Sequence, residues 1–143
     1  MHEKVTGIMA LLVLFAPGTL SLASDDTREW VELSARMQQH MLANMRDHLQ
    51  SLNEILNAMG KGELDKAADI AEQRLGMSSL ESHGASHMAQ YMPEGMRQMG
   101  TGMHRAASRF ARKAQEGELV PAYRMLSDIT AACVACHSAY RIR

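Results

Sequence analysis

Apolar side chains recur every three or four positions over most of this chain, the spacing of one buried face of an α-helix. Between residues 26 and 59 the stripe runs Trp30, Leu33, Met37, Met41, Met45, His48, Leu52, Ile55, Met59. It predicts one long helix, about 50 Å at a rise of about 1.5 Å per residue. Asp26 followed by Glu29 resembles a capping box at its start, and Gly60 and Gly62 stop it. A second helix is predicted over about 64–75, with Ala67, Ile70, Ala71 and Leu75 on its apolar side. Ser78-x-x-Glu81 signals a further turn or two reaching His83, and residues 84–92 read as a connection. Pro93 suits the first position of a third helix to about Glu116, which buries Met96, Met99, Met103, Ala107, Phe110 and Ala114. Pro121 opens a fourth, whose stripe is Ala122, Met125, Leu126, Ile129, Cys133, Cys136, Tyr140. Nothing after residue 24 alternates with a period of two. Four amphipathic helices joined by short connections predict an all-α fold, an antiparallel four-helix bundle forming one domain over 24–143.

The first 23 residues stand outside that pattern. "MHEKVTGIMALLVLFAPGTLSLAS" has a short start carrying Lys4, an apolar run from about Val5 to Leu14, and small residues before Ser24. That layout predicts a signal peptide over 1–23, cleaved before Ser24. The competing reading is a retained membrane anchor, but Pro17 and Gly18 interrupt the run and it is short for a span of about 20 residues. No later segment is read as crossing a membrane, so no stable membrane insertion is expected. The processed chain is expected to be exported, which in a bacterium means the periplasm. Lys and Arg total 15 against 16 Asp and Glu, a formal charge of −1. This balance gives no electrostatic reason to expect a nucleic acid or an anionic membrane surface as partner.

The chemistry sits in "ITAACVACHSAYRIR", residues 129–143, which holds both cysteines of the chain. Cys133, Cys136 and His137 occupy positions i, i+3 and i+4 of the last helix, on one face within about 100° of arc. Such a face suits one flat ligand lying against the helix. Two thiols can add across the vinyl groups of a haem as thioethers, and the adjacent imidazole can reach the iron. C-x-x-C-H is the attachment string for c-type haem. A redox disulfide is the main competitor in an oxidising compartment, but that chemistry belongs to an α/β setting and does not need the histidine. A structural zinc site needs about four ligands, and a disulfide closing so short a loop stabilises little.

The last helix, "AYRMLSDITAACVACHSAYR", resembles the C-terminal helix of the cytochrome c prime family, the class II c-type cytochromes, in which C-x-x-C-H often continues as x-x-Tyr-Arg. The similarity covers about 20 residues closely and the rest through the bundle layout. The resemblance implies that Cys133 and Cys136 hold one covalent haem c and that His137 is the proximal iron ligand. Arg141 is then placed to approach a haem propionate, with a solvated helix-end arginine as the alternative, and Tyr140 is core packing. The resemblance also implies that the first helix supplies the residue on the opposite side of the iron. A methionine there gives a six-coordinate electron carrier, whereas an aliphatic side chain leaves the iron open to small gases. In "ARMQQHMLANMRDH" the central candidate is Met41, followed by His40, four residues after Arg36, and then Met37 and Met45. Family members are often homodimers.

Methionine and histidine raise a separate possibility. Eleven of the 13 methionines follow residue 24, densest at Met88, Met92, Met96, Met99 and Met103, and His83, His87 and His104 flank that run. Methionine can simply be filling a core poor in aromatics, which make up 4% of the chain. Thioethers and imidazoles also suit copper, particularly Cu(I). His83 and His87 stand at i, i+4, and His40 and His48 could join them from the first helix. The sequence therefore points to a periplasmic monohaem c-type cytochrome carrying single electrons between redox partner proteins. A gas-binding protein for nitric oxide or carbon monoxide and a copper-binding protein remain the alternatives. There is no catalytic acid, base or nucleophile constellation, so no enzyme activity is expected.

Overall fold

The computed structural model of the protein describes residues 26–142; the expected signal peptide lies outside them. In chain order the elements are strand β1 (Glu29–Val31), helix α1 (Ala35–Gly60), helix α2 (Leu64–Arg74), a 3-10 turn (Met77–Ser79), the short helix α3 (Ala85–Ala89), helix α4 (Glu94–Ala114), helix α5 (Leu119–Ala139) and strand β2 (Tyr140–Ile142). The fold is mostly helical, consistent with the all-α expectation.

The long first helix begins later than its apolar stripe suggests. Asp26 does not cap it, because its carboxylate accepts from the Arg28 backbone N–H at 3.2 Å and from Nε at 2.9 Å. The true N-cap is Ser34, whose hydroxyl accepts from the Met37 N–H. Gln38 reaches back to donate to the Leu33 carbonyl at 2.8 Å. The segment before it is extended: β1 pairs in parallel with β2, Glu29 opposite Tyr140 and Val31 opposite Ile142. The two ends of the described chain are therefore clasped, and α5 stops at Ala139, so that Tyr140 belongs to a strand rather than to the helix stripe. The connection at 84–92 contains α3, which the sequence reading leaves as coil.

α2 packs against both α1 and α4, and α5 packs along α4. The main core collects Ile55, Ala58 and Met59 from α1, Ala67, Ala68 and Ala71 from α2, Ala107, Phe110 and Ala114 from α4, and Ala122, Leu126 and Ile129 from α5. The many alanines let helix axes approach closely, and Phe110 fills the space between them with no exposure at all. Arg74, at the end of α2, ties that helix to α1 through Glu54 (2.6 Å) and Asp47. A second cluster gathers Val31, Leu33, Met41 and Met88, with Met37, Met45, Met92, Met96, Tyr140 and Ile142 against it. Most of the methionines thus do what a methionine-rich core requires and fill an irregular space between α1, α3, the start of α4 and the strand clasp.

α5 differs from its neighbours in how little of it is covered. Ala122, Leu126 and Ile129 are buried against the core. Yet only 17% of its most apolar 18-residue window is buried, and by length and composition it is the one described helix able to cross a membrane. The sequence reading recognises no such segment after residue 24, because the large apolar residues Leu119, Val120, Leu126, Ile129 and Val134 are interspersed with polar ones and form no continuous run.

Replacing Phe110 by alanine is expected to lower stability by about 3–5 kcal/mol, the range for emptying a fully buried aromatic site. Urea denaturation followed by far-UV circular dichroism measures this, and a loss below about 1 kcal/mol would contradict the core assignment.

Candidate functional site

Two groups of chemically capable side chains emerge. The first is the C-terminal turn of α5. Cys133 and Cys136 are half-buried free thiols, and burial pushes both upward in pKa, so they stand as protonated thiols. Cys133 rests against the main core beside Ala132. His137 is exposed, and so is Val134, at 65%. Arg28 donates from Nη1 to the His137 carbonyl at 3.3 Å, satisfying one of the orphan carbonyls at the helix end. Two free thiols and an exposed imidazole at helical spacing, on an apolar helix that the protein leaves largely uncovered, fit the donor set and the surface of a covalently held haem.

The residues around this turn are placed differently from one another. Tyr140 is packing, as expected: its hydroxyl lies so close to α4 that a Cβ built on Gly95 would stand 2.4 Å from it, so only glycine admits the ring there. Arg141 is engaged with the clasp. Its guanidinium lies over the Trp30 ring at 5.0 Å, its Nε donates to the Arg28 carbonyl at 3.4 Å, and Asp26 is 3.7 Å away. Of the residues named for the far side of the iron, Met41 is buried in the methionine cluster, with Met37 and Met45 half-buried against it. His40 is exposed and its Nε2 donates to the His83 carbonyl at 2.8 Å.

The second group is a centre of three imidazoles: His48 from α1, His83 from the turn before α3, and His104 from α4. His48 and His104 are buried and His83 is half-buried. One ring nitrogen from each lies within 4.8 Å of the others, and His48 Nε2 and His83 Nδ1 face each other at 3.4 Å. Such a group can hold a metal ion. The sequence reading allows His48 to join a site at His83 and names His104 as flanking the methionine run, but it does not single out the trio, because 48, 83 and 104 share no spacing. It pairs His83 with His87 instead. That pair does not form: Gly84 sits in the left-handed region at φ +62°, the helix restarts at Ala85, and His87 turns outward to an edge contact with Tyr91 at 5.9 Å.

The centre is anchored from several sides. His104 Nδ1 donates to the Leu75 carbonyl at 2.7 Å, which leaves Nε2 as its unprotonated nitrogen. His83 is held through its backbone, whose carbonyl accepts from His40 and from Asn44 Nδ2 at 3.0 Å. A Cβ on Gly84 would meet His40 Nε2 at 3.1 Å, so glycine also makes room for that clamp. Ser79 donates to the Gly76 carbonyl and its oxygen lies 3.4 Å from Nδ1 of both His83 and His104.

The surroundings favour neutral imidazoles. Burial, then the neighbouring His83 and His104, push His48 down to about 4; Asp47 opposes this and His137 adds to it. Burial likewise lowers His83 and His104.

No protein-family model, curated protein or solved structure matches the chain.

In the metal-free protein, His48 takes up a proton near pH 6.5 when unfolded but only near pH 4 when folded. The folded state binds fewer protons in that window, so stability is full above pH 6.5 and falls as the pH drops towards 4, by on the order of 3 kcal/mol for this group. Thermal melts between pH 7 and pH 4 are expected to show that decline, and His48→Gln to reduce its slope. An unchanged slope in the variant would contradict the burial of a neutral imidazole.

Proposed function

We propose that the protein is an exported monohaem c-type cytochrome that carries single electrons, with its helices arranged as the antiparallel four-helix bundle of the cytochrome c prime type. The observation that carries the proposal is the coincidence of two free thiols and an imidazole on the least covered, most apolar helix of the fold. Cys133 and Cys136 supply the thioether bonds and His137 the proximal nitrogen. Bound there, the haem supplies reversible one-electron chemistry at iron.

The chain's own part is to hold, shield and tune. α5 fixes the three attachment residues in register, and its burial on α4 through Ala122, Leu126 and Ile129 gives them a rigid base. The clasp of β1 on β2 and the Arg28 bond to the His137 carbonyl hold the helix end that carries the proximal imidazole. The methionine cluster offers thioether sulfur from α1, and Met41, its most buried member on that helix, is the proposed distal ligand. A Met/His pair raises the reduction potential, which suits a carrier. The partners of such a carrier are redox proteins in the same compartment. The alternative of an open iron that binds nitric oxide or carbon monoxide is an outcome of the spectral test.

Expressed in cells that mature c-type cytochromes, the processed protein is expected to be coloured and heavier than its polypeptide by one haem. The Cys133→Ser/Cys136→Ser variant should lose both properties. A colourless wild-type protein of polypeptide mass would end the proposal. Met41→Leu is expected to convert a low-spin spectrum into a high-spin one that responds to carbon monoxide. If the wild type already responds in that way, the gas-binding alternative replaces the carrier.

A further inference from the structure

We propose that His48, His83 and His104 form a second metal centre, separate from the haem, which takes one first-row divalent transition-metal ion, Cu2+ or Zn2+, through three neutral imidazoles. The centre draws on three parts of the chain that are far apart in sequence, a helix, a turn and a second helix, and each brings a ring nitrogen within 4.8 Å of the other two.

The geometry suits a tetrahedral ion. Metal–nitrogen bonds of about 2.0–2.1 Å place neighbouring ligand nitrogens about 3.3–3.4 Å apart. His48 Nε2 and His83 Nδ1 already stand at 3.4 Å, a separation too long for a strong N–H···N bond. The remaining separations lie within 4.8 Å, which side-chain rotation closes. Three ligands leave a fourth position for water or a small molecule.

The second layer is built as metal-binding histidines require. A ligating imidazole usually donates its other N–H to a carbonyl or carboxylate, which fixes the tautomer. His104 does this to Leu75. His83, the ligand on the least regular segment, is fixed through its carbonyl by His40 and Asn44, both from α1. This gives His40 a role quite different from iron ligation: it positions His83. The nearest carboxylate, Asp47, is withheld from direct ligation by Arg74, which also holds Glu54. Two carboxylates against one guanidinium leave that group one net negative charge beside the centre, a partial counter-charge for a divalent ion. The donor set is then all imidazole, which suits copper and zinc better than magnesium or calcium.

The test uses the purified full-length processed protein with its haem, stripped with a chelator and dialysed against Zn2+ or Cu2+, with metal content read by elemental analysis. One ion per chain is expected, together with a rise in melting temperature on adding the metal. His83→Ala, which alters a half-buried side chain in a turn, is expected to weaken binding at least tenfold while circular dichroism stays unchanged, and His104→Ala should do the same if it folds. His40→Ala is expected to weaken binding less than His83→Ala, and His87→Ala to leave it intact. Absence of stoichiometric binding would overturn the proposal, as would binding that survives His83→Ala but disappears with His87→Ala or with the combined loss of Met88, Met92 and Met96. The two proposals fail separately. A coloured protein that takes up no ion refutes only the histidine centre, and a colourless protein with its thiols alkylated still reports on that centre.

Discussion

Burial of the apolar face of α4 is the interaction on which the other features depend. Phe110 and the alanines around it form the surface against which α2 settles on one side and α5 on the other. α4 also carries His104, and its first turn receives Tyr140 over Gly95. The base of the thiol-bearing helix and one third of the histidine centre are therefore set by a single helix. Since small residues dominate these contacts, the helices approach closely and tolerate little change in side-chain volume. The position of Cys133 follows from that packing, and His104 is fixed by it together with its bond to the Leu75 carbonyl.

Helices were legible in the sequence wherever one face of a helix was buried against another. Gly60, Gly62, Pro93 and Gly117 lie at or within a residue or two of the ends of elements, because glycine and proline act on the backbone locally. What was not legible was non-local. Trp30 continues the periodic stripe of α1, yet it lies in a strand, because its partner strand lies more than 100 residues away at Tyr140–Ile142. Local pattern holds no information about such pairing. The same contrast divides the two sites. Cys133, Cys136 and His137 are neighbours in sequence and could be found by spacing alone. His48, His83 and His104 are neighbours only after folding, and the nearby pair at 83 and 87 was the more obvious reading until Gly84 broke the helix between them. The one available hint was that His48 fell on the buried stripe of α1, where an imidazole needs a partner.

The methionine cluster and the histidine centre also make different use of α1. Met37, Met41 and Met45 pack towards the strand clasp, whereas His48, one turn further on, turns to α4 and the segment before α3. A single helix thus presents thioether sulfur at one level and imidazole nitrogen at the next. Soft and borderline donors are kept in separate compartments, each with its own surroundings: the first apolar, the second laced with hydrogen bonds from Ser79, Asn44 and backbone carbonyls.

The parallel pairing of β1 with β2 has a consequence for the order of events during synthesis. During synthesis Glu29–Val31 emerges more than 100 residues before the strand that completes the pair. Closing so large a loop is entropically costly, and such contacts form late. The thiols at 133 and 136 precede β2, so they become available while the two strands are still apart. The clasp acts as a latch that cannot engage until Tyr140–Ile142 has been made, and a chain cut short before Tyr140 has nothing with which to close it.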